Sequence, residues 1–442
     1  MSNDMWSKNS SLQGGTLSLA GISAAQLAKD FGTPTFFLDE DAYRSRAIAW
    51  HSGLQSQFGK NAGTIYYAAK SFICTAVAQW IADIGIGIDV CTGGELAVAL
   101  AGGIHPSKIE VHGNNKSVAE IDRAVSVGVK TIVMDSLFEI ERVADAAKKH
   151  GVRQGVMLRL TPGIEAHTHE KISTAHEDVK FGFSIASGAA WAAVEAVVAR
   201  PELELRGVHC HIGSQIFGAE AHEIATDRLL AFMAKYRDAY GKELAELDLG
   251  GGFGIAYIAG ENTVEPSDVL PAIHAAVTNA CVKYNLAIPM ISLEPGRNIV
   301  GPTMFTLYEV GTVKDVVLEN AAVRKYISVD GGMSDNARTA LYDAEYTAVI
   351  AQRSSTAPLA LSRLVGKHCE TGDIIIRDIQ LPSDIAPGDL IATPATGAYG
   401  RSMASNYNHV PRPPVVAVKD GKARVIVRRE NEADLLALDV KE

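Results

Sequence analysis

From residue 64 to residue 297, apolar runs of strand length alternate with amphipathic stretches of helical period. The runs are Thr64–Lys70, Ile86–Cys91, Lys108–Gly113, Thr131–Ser136, Gly155–Thr161, Leu205–Gly213, Glu246–Gly252 and Pro289–Arg297. Between them, Glu95–Ala101, Val118–Val127, Phe138–His150 and Ser187–Ala199 repeat apolar residues at the spacing of one helix face. Strands apolar along their whole length, each followed by a helix, belong to a parallel sheet covered on both faces. Eight in succession predict closure into a (β/α)8 TIM barrel, with an open doubly wound sheet as the runner-up.

The pattern changes near residue 305. Phe305–Val310, Lys325–Val329, Asp373–Ile376, Leu390–Ala392, Val415–Val418 and Ala423–Arg428 are short β-rich runs punctuated by Gly and Pro, as in a β-sandwich or β-barrel domain. At the other end, a polar arm precedes a helix over Ser23–Phe31, which Gly32-Thr33-Pro34 stops. The strand Thr35–Leu38 is expected to join the C-terminal sheet. The chain therefore divides into an N-terminal segment (1–45), a barrel (46–305) and a C-terminal β domain (306–442).

Chemistry in such a barrel collects at the C-terminal ends of its strands. Those ends carry Lys70, Asp89, His112 with Asn114, Asp135, Arg159, His211 with Ser214, Gly250-Gly251-Gly252, and Glu294 with Arg297. Lys70 closes the apolar run Thr64-Ile65-Tyr66-Tyr67-Ala68-Ala69. A lysine there either reaches the rim and pairs with an acid, or is a desolvated amine suited to Schiff-base chemistry. The glycine triplet lets backbone N–H groups approach an anion, and is otherwise a tight turn. Glu294 and Arg297 form either a local ion pair or a clamp for a ring nitrogen and an acid group. His209 and His211, two apart, share one side of a strand and could hold zinc. With His167, His169 and His176 they make no closed ligand pattern, so no metal site is expected, and an imidazole stacked on a flat cofactor is the better reading of His211. The long connection from Thr161 to Gly182 reads as a lid over the site.

Composition narrows the class. At 442 residues the chain exceeds one ordinary core. A net charge of −10 argues against nucleic acid as a partner. Cysteines 74, 91, 210, 281 and 369 are scattered and odd in number, as in reduced cytoplasmic proteins. No run is long enough to span a bilayer, and no targeting signal is evident at the N-terminus.

Tyr67-Ala68-Ala69-Lys70, Asp89 with Gly93-Gly94-Glu95-Leu96, His112-Gly113-Asn114-Asn115-Lys116, His211-Ile212-Gly213-Ser214-Gln215, Gly250-Gly251-Gly252, Glu294-Pro295-Gly296-Arg297, Cys369-Glu370-Thr371-Gly372-Asp373 and Gly397-Ala398-Tyr399 occur in that order. From about residue 33 to the C-terminus the chain resembles the diaminopimelate decarboxylases, fold-type III pyridoxal-phosphate enzymes related to ornithine decarboxylase and alanine racemase. Their lysine motif often reads Ala-Leu-Lys-Ala-Asn, and Ala69 and Ser71 stand here in place of the Leu and Ala.

The resemblance implies a role for each position. Lys70 tethers pyridoxal 5'-phosphate, Glu294 keeps its ring nitrogen protonated, and His211 stacks on its face, with Asp89 and Arg297 also among the cofactor contacts. Ser214, Gly251, Gly252, Gly296 and Tyr399 hold the phosphate. Arg297, Arg338 and Tyr342, with Tyr399, bind the distal carboxylate of meso-diaminopimelate, and Glu370 pairs with its distal ammonium. Cys369 returns a proton after CO2 leaves. The expected reaction is decarboxylation at the D-centre to L-lysine, the last step of lysine biosynthesis. A cytoplasmic homodimer with shared sites is also implied, Cys369 and Glu370 coming from one subunit and Lys70 from the other. The alternative is decarboxylation of ornithine, arginine or carboxynorspermidine. A racemase would want a tyrosine at Cys369, a non-catalytic pyridoxal-phosphate carrier would lack the second domain, and a metal hydrolase on the same barrel is the remotest reading.

Overall fold

The computed structural model describes residues 4–163 and 180–440. The lid expected over 161–182, with its histidines 167, 169 and 176, lies almost wholly outside them. Two compact units make up the chain. One comprises Arg46–Gly254 and Val264–Gly296; the other comprises the residues up to Ser45, the excursion Ile255–Thr263, and the residues from Arg297 on.

The first unit is a closed barrel of eight parallel strands. They are β1 (Gly63–Ala68), β2 (Gly87–Val90), β3 (Ile109–Val111), β4 (Thr131–Met134), β5 (Gln154–Thr161), β6 (Leu203–His209), β7 (Glu246–Asp248) and β8 (Met290–Leu293). Each pairs with the next, and β8 returns to β1 with Ile291 opposite Gly63. A short strand, Phe183–Ser184, adds to the outside of β5. The eight runs of the sequence are these strands, shortened. The last ends at Leu293 because Pro295 breaks the ladder and Gly296–Val300 turns helical.

Local chemistry fixes the helix boundaries. Ser117 Oγ accepts from Glu120 N (3.2 Å) while Glu120 Oε2 accepts from Ser117 N (3.0 Å), a capping box at the head of Val118–Val127. Thr92 and Ser136 cap Gly93–Ala101 and Leu137–His150 with a side-chain oxygen that accepts from Glu95 N and Glu139 N. Gly128 and Gly151 end their helices in the left-handed conformation.

The barrel interior is unusually polar. Asp89, Glu110, His112, His209, Glu246, Asp248 and Glu294 are all buried. At its lower end Lys130 Nζ binds Glu246 Oε2 (2.7 Å) and the Tyr66 hydroxyl (2.8 Å), and lies 3.9 Å from Glu110. Gly87 makes room for the Tyr66 ring, which a Cβ there would overlap. Beside the strand ends, Lys116 is buried and donates to the carbonyls of Gly113 and Val133 (2.7 Å each) and to Glu139. Glu139 Oε2 also accepts from Asp135 N (2.7 Å). Lys116 thus staples the loop after β3 to the loop after β4.

The second unit is built on a nine-stranded sheet. The long strand Met304–Val317 is shared between its two halves. The first half pairs antiparallel with Thr35–Asp39 and Leu390–Thr393; the second pairs with Val323–Val329, after a register shift between Val310 and Val313. Thr35–Asp39 also pairs parallel with Val415–Lys419, so both chain ends meet in one sheet, as the pattern predicted. Two parts differ from the reading of the sequence. The polar arm contains a small antiparallel sheet, Ser10–Gln13, Thr16–Leu19 and Ile22–Ser23. Leu17 and Leu19 are its buried side, alternating with polar residues over a span too short to register as a strand. Ser23 caps the following helix, Ala24–Phe31, rather than opening it. Leu359–Val365 was also missed; it is a strand between Val323–Val329 and Ile374–Pro382, its apolar residues broken by Ser362 and Arg363.

Replacing Lys116 by Met strips Glu139 of its buried partner. The variant is expected to lose about 3–5 kcal/mol of unfolding free energy in a denaturant titration, with Lys116→Met/Glu139→Leu recovering most of it. A single variant as stable as the wild type would show that the staple carries no weight.

Candidate active site

Lys70 sits where β1 gives way to a single helical turn, Ala69–Ser71. Two hydrogen bonds hold that turn: Tyr67 hydroxyl to Phe72 O (2.6 Å) and Ser71 Oγ to Ala68 O (2.7 Å). The amine is half-buried and close enough to Asp89, Glu95 and Glu294 to act on their charges. Gly296 packs against the same turn. A Cβ there would lie 2.6 Å from the Ala68 Cβ and 3.0 Å from Ser71 Oγ.

Glu294, just beyond β8, is the centre of the rim. Its Oε1 lies 3.1 Å from His209 Nε2 and 3.3 Å from His112 Nε2, and the two imidazoles meet edge to face at 4.8 Å. Glu110 Oε2 stands 3.9 Å beyond His112 Nε2. Burial pushes both imidazoles below their ordinary range, against the attraction of Glu294. For Glu294 burial works the other way, and His112, His209 and Lys70 outweigh it, holding the carboxyl well below the usual carboxylate range. Asp89 and Asp248 are pushed well above it, first by burial and then by the negative charge of Glu294.

The glycine triplet runs beside this group. Gly250 N donates to Asp248 Oδ1 (2.7 Å), Glu294 N donates to Gly250 O (2.9 Å), and Ile216 N donates to Gly252 O (2.9 Å). Gly250 and Gly252 have φ of +68° and +102°, and a Cβ on Gly251 would collide with the Glu294 carbonyl. Gly251 N points to His211 Nδ1 at 3.4 Å. From behind, His222 stacks on Phe253 at 4.9 Å and brings its Nε2 to 3.4 Å from the Gly251 carbonyl. Ser214 is half-buried on the loop leaving β6.

The remaining candidates belong to the sheet unit. Arg297 and Arg338 are buried. Arg297 Nη1 donates to the Tyr257 hydroxyl (2.6 Å), and its guanidinium lies 4.6 Å from the ring centre of Tyr399. Arg338 Nη1 donates to the Tyr346 hydroxyl (2.5 Å). Tyr342 closes the short helix that Arg338 opens. Tyr399 has φ +59°, a left-handed conformation uncommon for a bulky non-glycine residue. Cys369 and Glu370 are exposed, on a turn anchored from within. Asp373 accepts from Met333 N (2.6 Å) and His368 N (2.7 Å), and the His368 ring contacts Ser334 Oγ (2.7 Å) and Asn408 Oδ1 (3.2 Å).

His112 and His209 were named from the sequence, at a strand end and in a histidine pair, but were given no role at the site; Tyr257 and Tyr346 were not named. The strand-end position of His112 and the two-residue spacing of His209 and His211 were signals for the first pair. The tyrosines carried none, being single aromatic residues in unremarkable surroundings.

Two features test for a bound group. Both Asp89 carboxylate oxygens, Glu294 Oε1 and both His209 ring nitrogens are buried without a well-formed hydrogen bond. In the glycine strip beside them the backbone of Gly250, Gly251 and Gly252 packs directly against the carbonyls of Cys210, Glu294 and Gly213, with no room for a side chain. The arrangement suits a flat ring with a basic nitrogen and an anionic arm.

Residues 43–301 match the family model described as pyridoxal-dependent decarboxylase, pyridoxal binding domain. The diaminopimelate decarboxylase of Mycobacterium tuberculosis (strain H37Rv) is 50% identical, the alignment covering 99% of this chain and 98% of that protein. The diaminopimelate decarboxylase of Bacillus subtilis (strain 168) is 41% identical, over 97% and 96%. Among solved structures, diaminopimelate decarboxylase from M. jannaschii in complex with L-lysine superposes with a TM-score of 0.89 at 30% identity, covering 99% of this chain and 98% of that one.

Burial first, then Glu246 and Glu294, push the Glu110 carboxyl up from 4.5 to about 8, against Lys130. Between those values the folded chain holds a proton that the unfolded chain has released. This carboxyl's contribution to stability is therefore present below the ordinary carboxylate range and lost as pH rises toward about 8. Glu110→Gln cannot ionise and is expected to flatten the fall in melting temperature between about pH 5 and about pH 8. Parallel pH profiles for the two proteins would rule the effect out.

Proposed function

The chain belongs to the diaminopimelate decarboxylases, and on that premise we propose that it removes CO2 from the D-centre of meso-2,6-diaminopimelate to give L-lysine, the last step of lysine biosynthesis. One observation supports this substrate over another basic amino acid. Arg338 is a buried guanidinium with no carboxylate in ion-pair range among the described residues. A buried cation in that state is costly and calls for an anion from outside the chain. The second carboxylate of diaminopimelate is such an anion; ornithine has none.

Pyridoxal 5'-phosphate, when bound, supplies the electron sink that accepts the electron pair left as CO2 departs. Lys70 is the residue that tethers it. Glu294, held ionised by its neighbours, is suited to keep a proton on a ring nitrogen, and His211 to cover a ring face. Asp89, close enough to Lys70 to feel its charge, is a further contact for the cofactor. The N–H groups of Gly251 and Gly252 and the backbone of Gly296, with the Ser214 and Tyr399 hydroxyls, suit a phosphate, and the Arg297 cation adds to that field. Arg297, Arg338 and Tyr342 take the distal carboxylate as a charged fork, and Glu370 takes the distal ammonium. Cys369 delivers the proton that replaces the lost carboxylate.

The working unit in this reading is a homodimer, Cys369 and Glu370 of each subunit serving the barrel of the other. Their exposure on a turn braced by His368 and Asp373 supports it. We place the enzyme in the cytoplasm, where its five free thiols, Cys369 exposed among them, stay reduced. Among the described residues no helix is long and apolar enough to cross a membrane.

Purified enzyme with pyridoxal phosphate is expected to release CO2 from meso-diaminopimelate and not from ornithine; the opposite preference would sink the substrate assignment. Lys70→Ala and Cys369→Ala chains, each inactive alone, are expected to regain about a quarter of wild-type activity when mixed and allowed to exchange subunits. No recovery in a demonstrated heterodimer would refute the shared site.

A further inference from the structure

Buried guanidiniums are usually fixed by carboxylates, which neutralise them as they orient them. In the sheet unit the fixing is done by phenols. Tyr257 is the residue common to both arginines: its hydroxyl accepts from Arg297 Nη1 (2.6 Å), and its ring lies under the Arg338 guanidinium at 4.3 Å. Tyr346 meets Tyr257 edge to face at 5.3 Å and accepts from Arg338 on its other side.

Tyr257 is itself held firmly. It is carried by the excursion Ile255–Thr263, whose backbone is tied down by Ala256 N to Thr263 Oγ1 (3.0 Å) and Tyr257 N to Glu261 Oε2 (2.8 Å). Ile255 and the body of Tyr257 are packed among Tyr308, Ile327, Val329 and Leu364. The phenol therefore reaches the arginines from a fixed base.

We propose that Tyr257 is a specificity-determining positioning residue that holds Arg297 through its hydroxyl and Arg338 through its ring, aiming both at one carboxylate without neutralising Arg338. A phenol gives a guanidinium one acceptor atom and one electron-rich face, which is enough to orient it. An aspartate or glutamate at the same place would occupy the cation and compete with the incoming carboxylate. The tyrosine thus leaves the fork oriented and still attractive to the far end of the substrate. This inference rests on the assignment of Arg297 and Arg338 to the distal carboxylate.

The test compares holoenzyme variants on two substrates. D-Lysine shares the reacting centre and the distal amine of meso-diaminopimelate but lacks the distal carboxylate. Tyr257→Phe keeps the ring under Arg338 and removes only the hydroxyl from Arg297. It is expected to raise KM for meso-diaminopimelate about tenfold, the effect of one lost hydrogen bond to a charged group, with kcat nearly unchanged. Binding of L-lysine, which retains the distal carboxylate, should weaken by a similar factor, while kcat/KM for D-lysine stays the same. Tyr257→Leu should narrow the preference further; if it fails to fold, Tyr257→Phe carries the test alone. Equal losses on both substrates, or no loss on either, overturn the proposal. Arg338→Leu separates the two levels. If it leaves the preference intact, the arginine fork is misassigned and the proposal falls with it. If it abolishes the preference while Tyr257→Phe does not alter it, only the role of Tyr257 is wrong.

Discussion

A carboxylate kept ionised inside a closed barrel is the condition on which the rest of the molecule depends. Glu294 is buried, and burial alone would protonate it. Around it Asp89, Glu110 and Asp248 are pushed toward their neutral forms by burial and by the charge of Glu294 itself. What reverses the balance is local: two imidazole nitrogens within 3.3 Å and the Lys70 amine nearby. Burial at the same time pushes those imidazoles below their ordinary range. A protonated ring nitrogen is the kind of group that such an arrangement accepts, and buried oxygens of Asp89 and Glu294 lack well-formed hydrogen bonds.

The anion-accepting strip is joined to this charge through the backbone. The Gly250 carbonyl receives the Glu294 amide, and Gly251 passes so close to the Glu294 carbonyl that no side chain fits between them. The ring clamp and the glycine cradle are therefore one piece of covalent and hydrogen-bonded structure. Each is braced from outside the site: the cradle by His222 stacked on Phe253, the loop carrying His112 by the buried Lys116. Neither brace reaches the reacting atoms. Both limit how far the groups that do can drift.

The sheet unit buries two guanidiniums. Arg297 and Arg338 are oriented by phenols and ring faces. Cys369 and Glu370 stay exposed on a turn that Asp373 and His368 fix.

How much of this was legible along the chain follows from the range of the forces involved. Barrel strands and their helices were readable because each buries its own local pattern, so period and capping chemistry survive in a single segment. The positions of Lys70, Asp89, His211, Glu294 and the glycine triplet followed, since a parallel barrel collects its chemistry at one end of its strands. The small sheet around Leu17 and Leu19, and the strand Leu359–Val365, were not readable, because pairing with distant segments makes up for weak local patterns there. Only the folded molecule brings His112 and His209, 97 positions apart by their numbers, to one oxygen of Glu294, or carries Tyr257 out of the barrel segment to lie against two arginines. Such meetings depend on where whole elements pack, and packing is decided by burial summed over the entire chain.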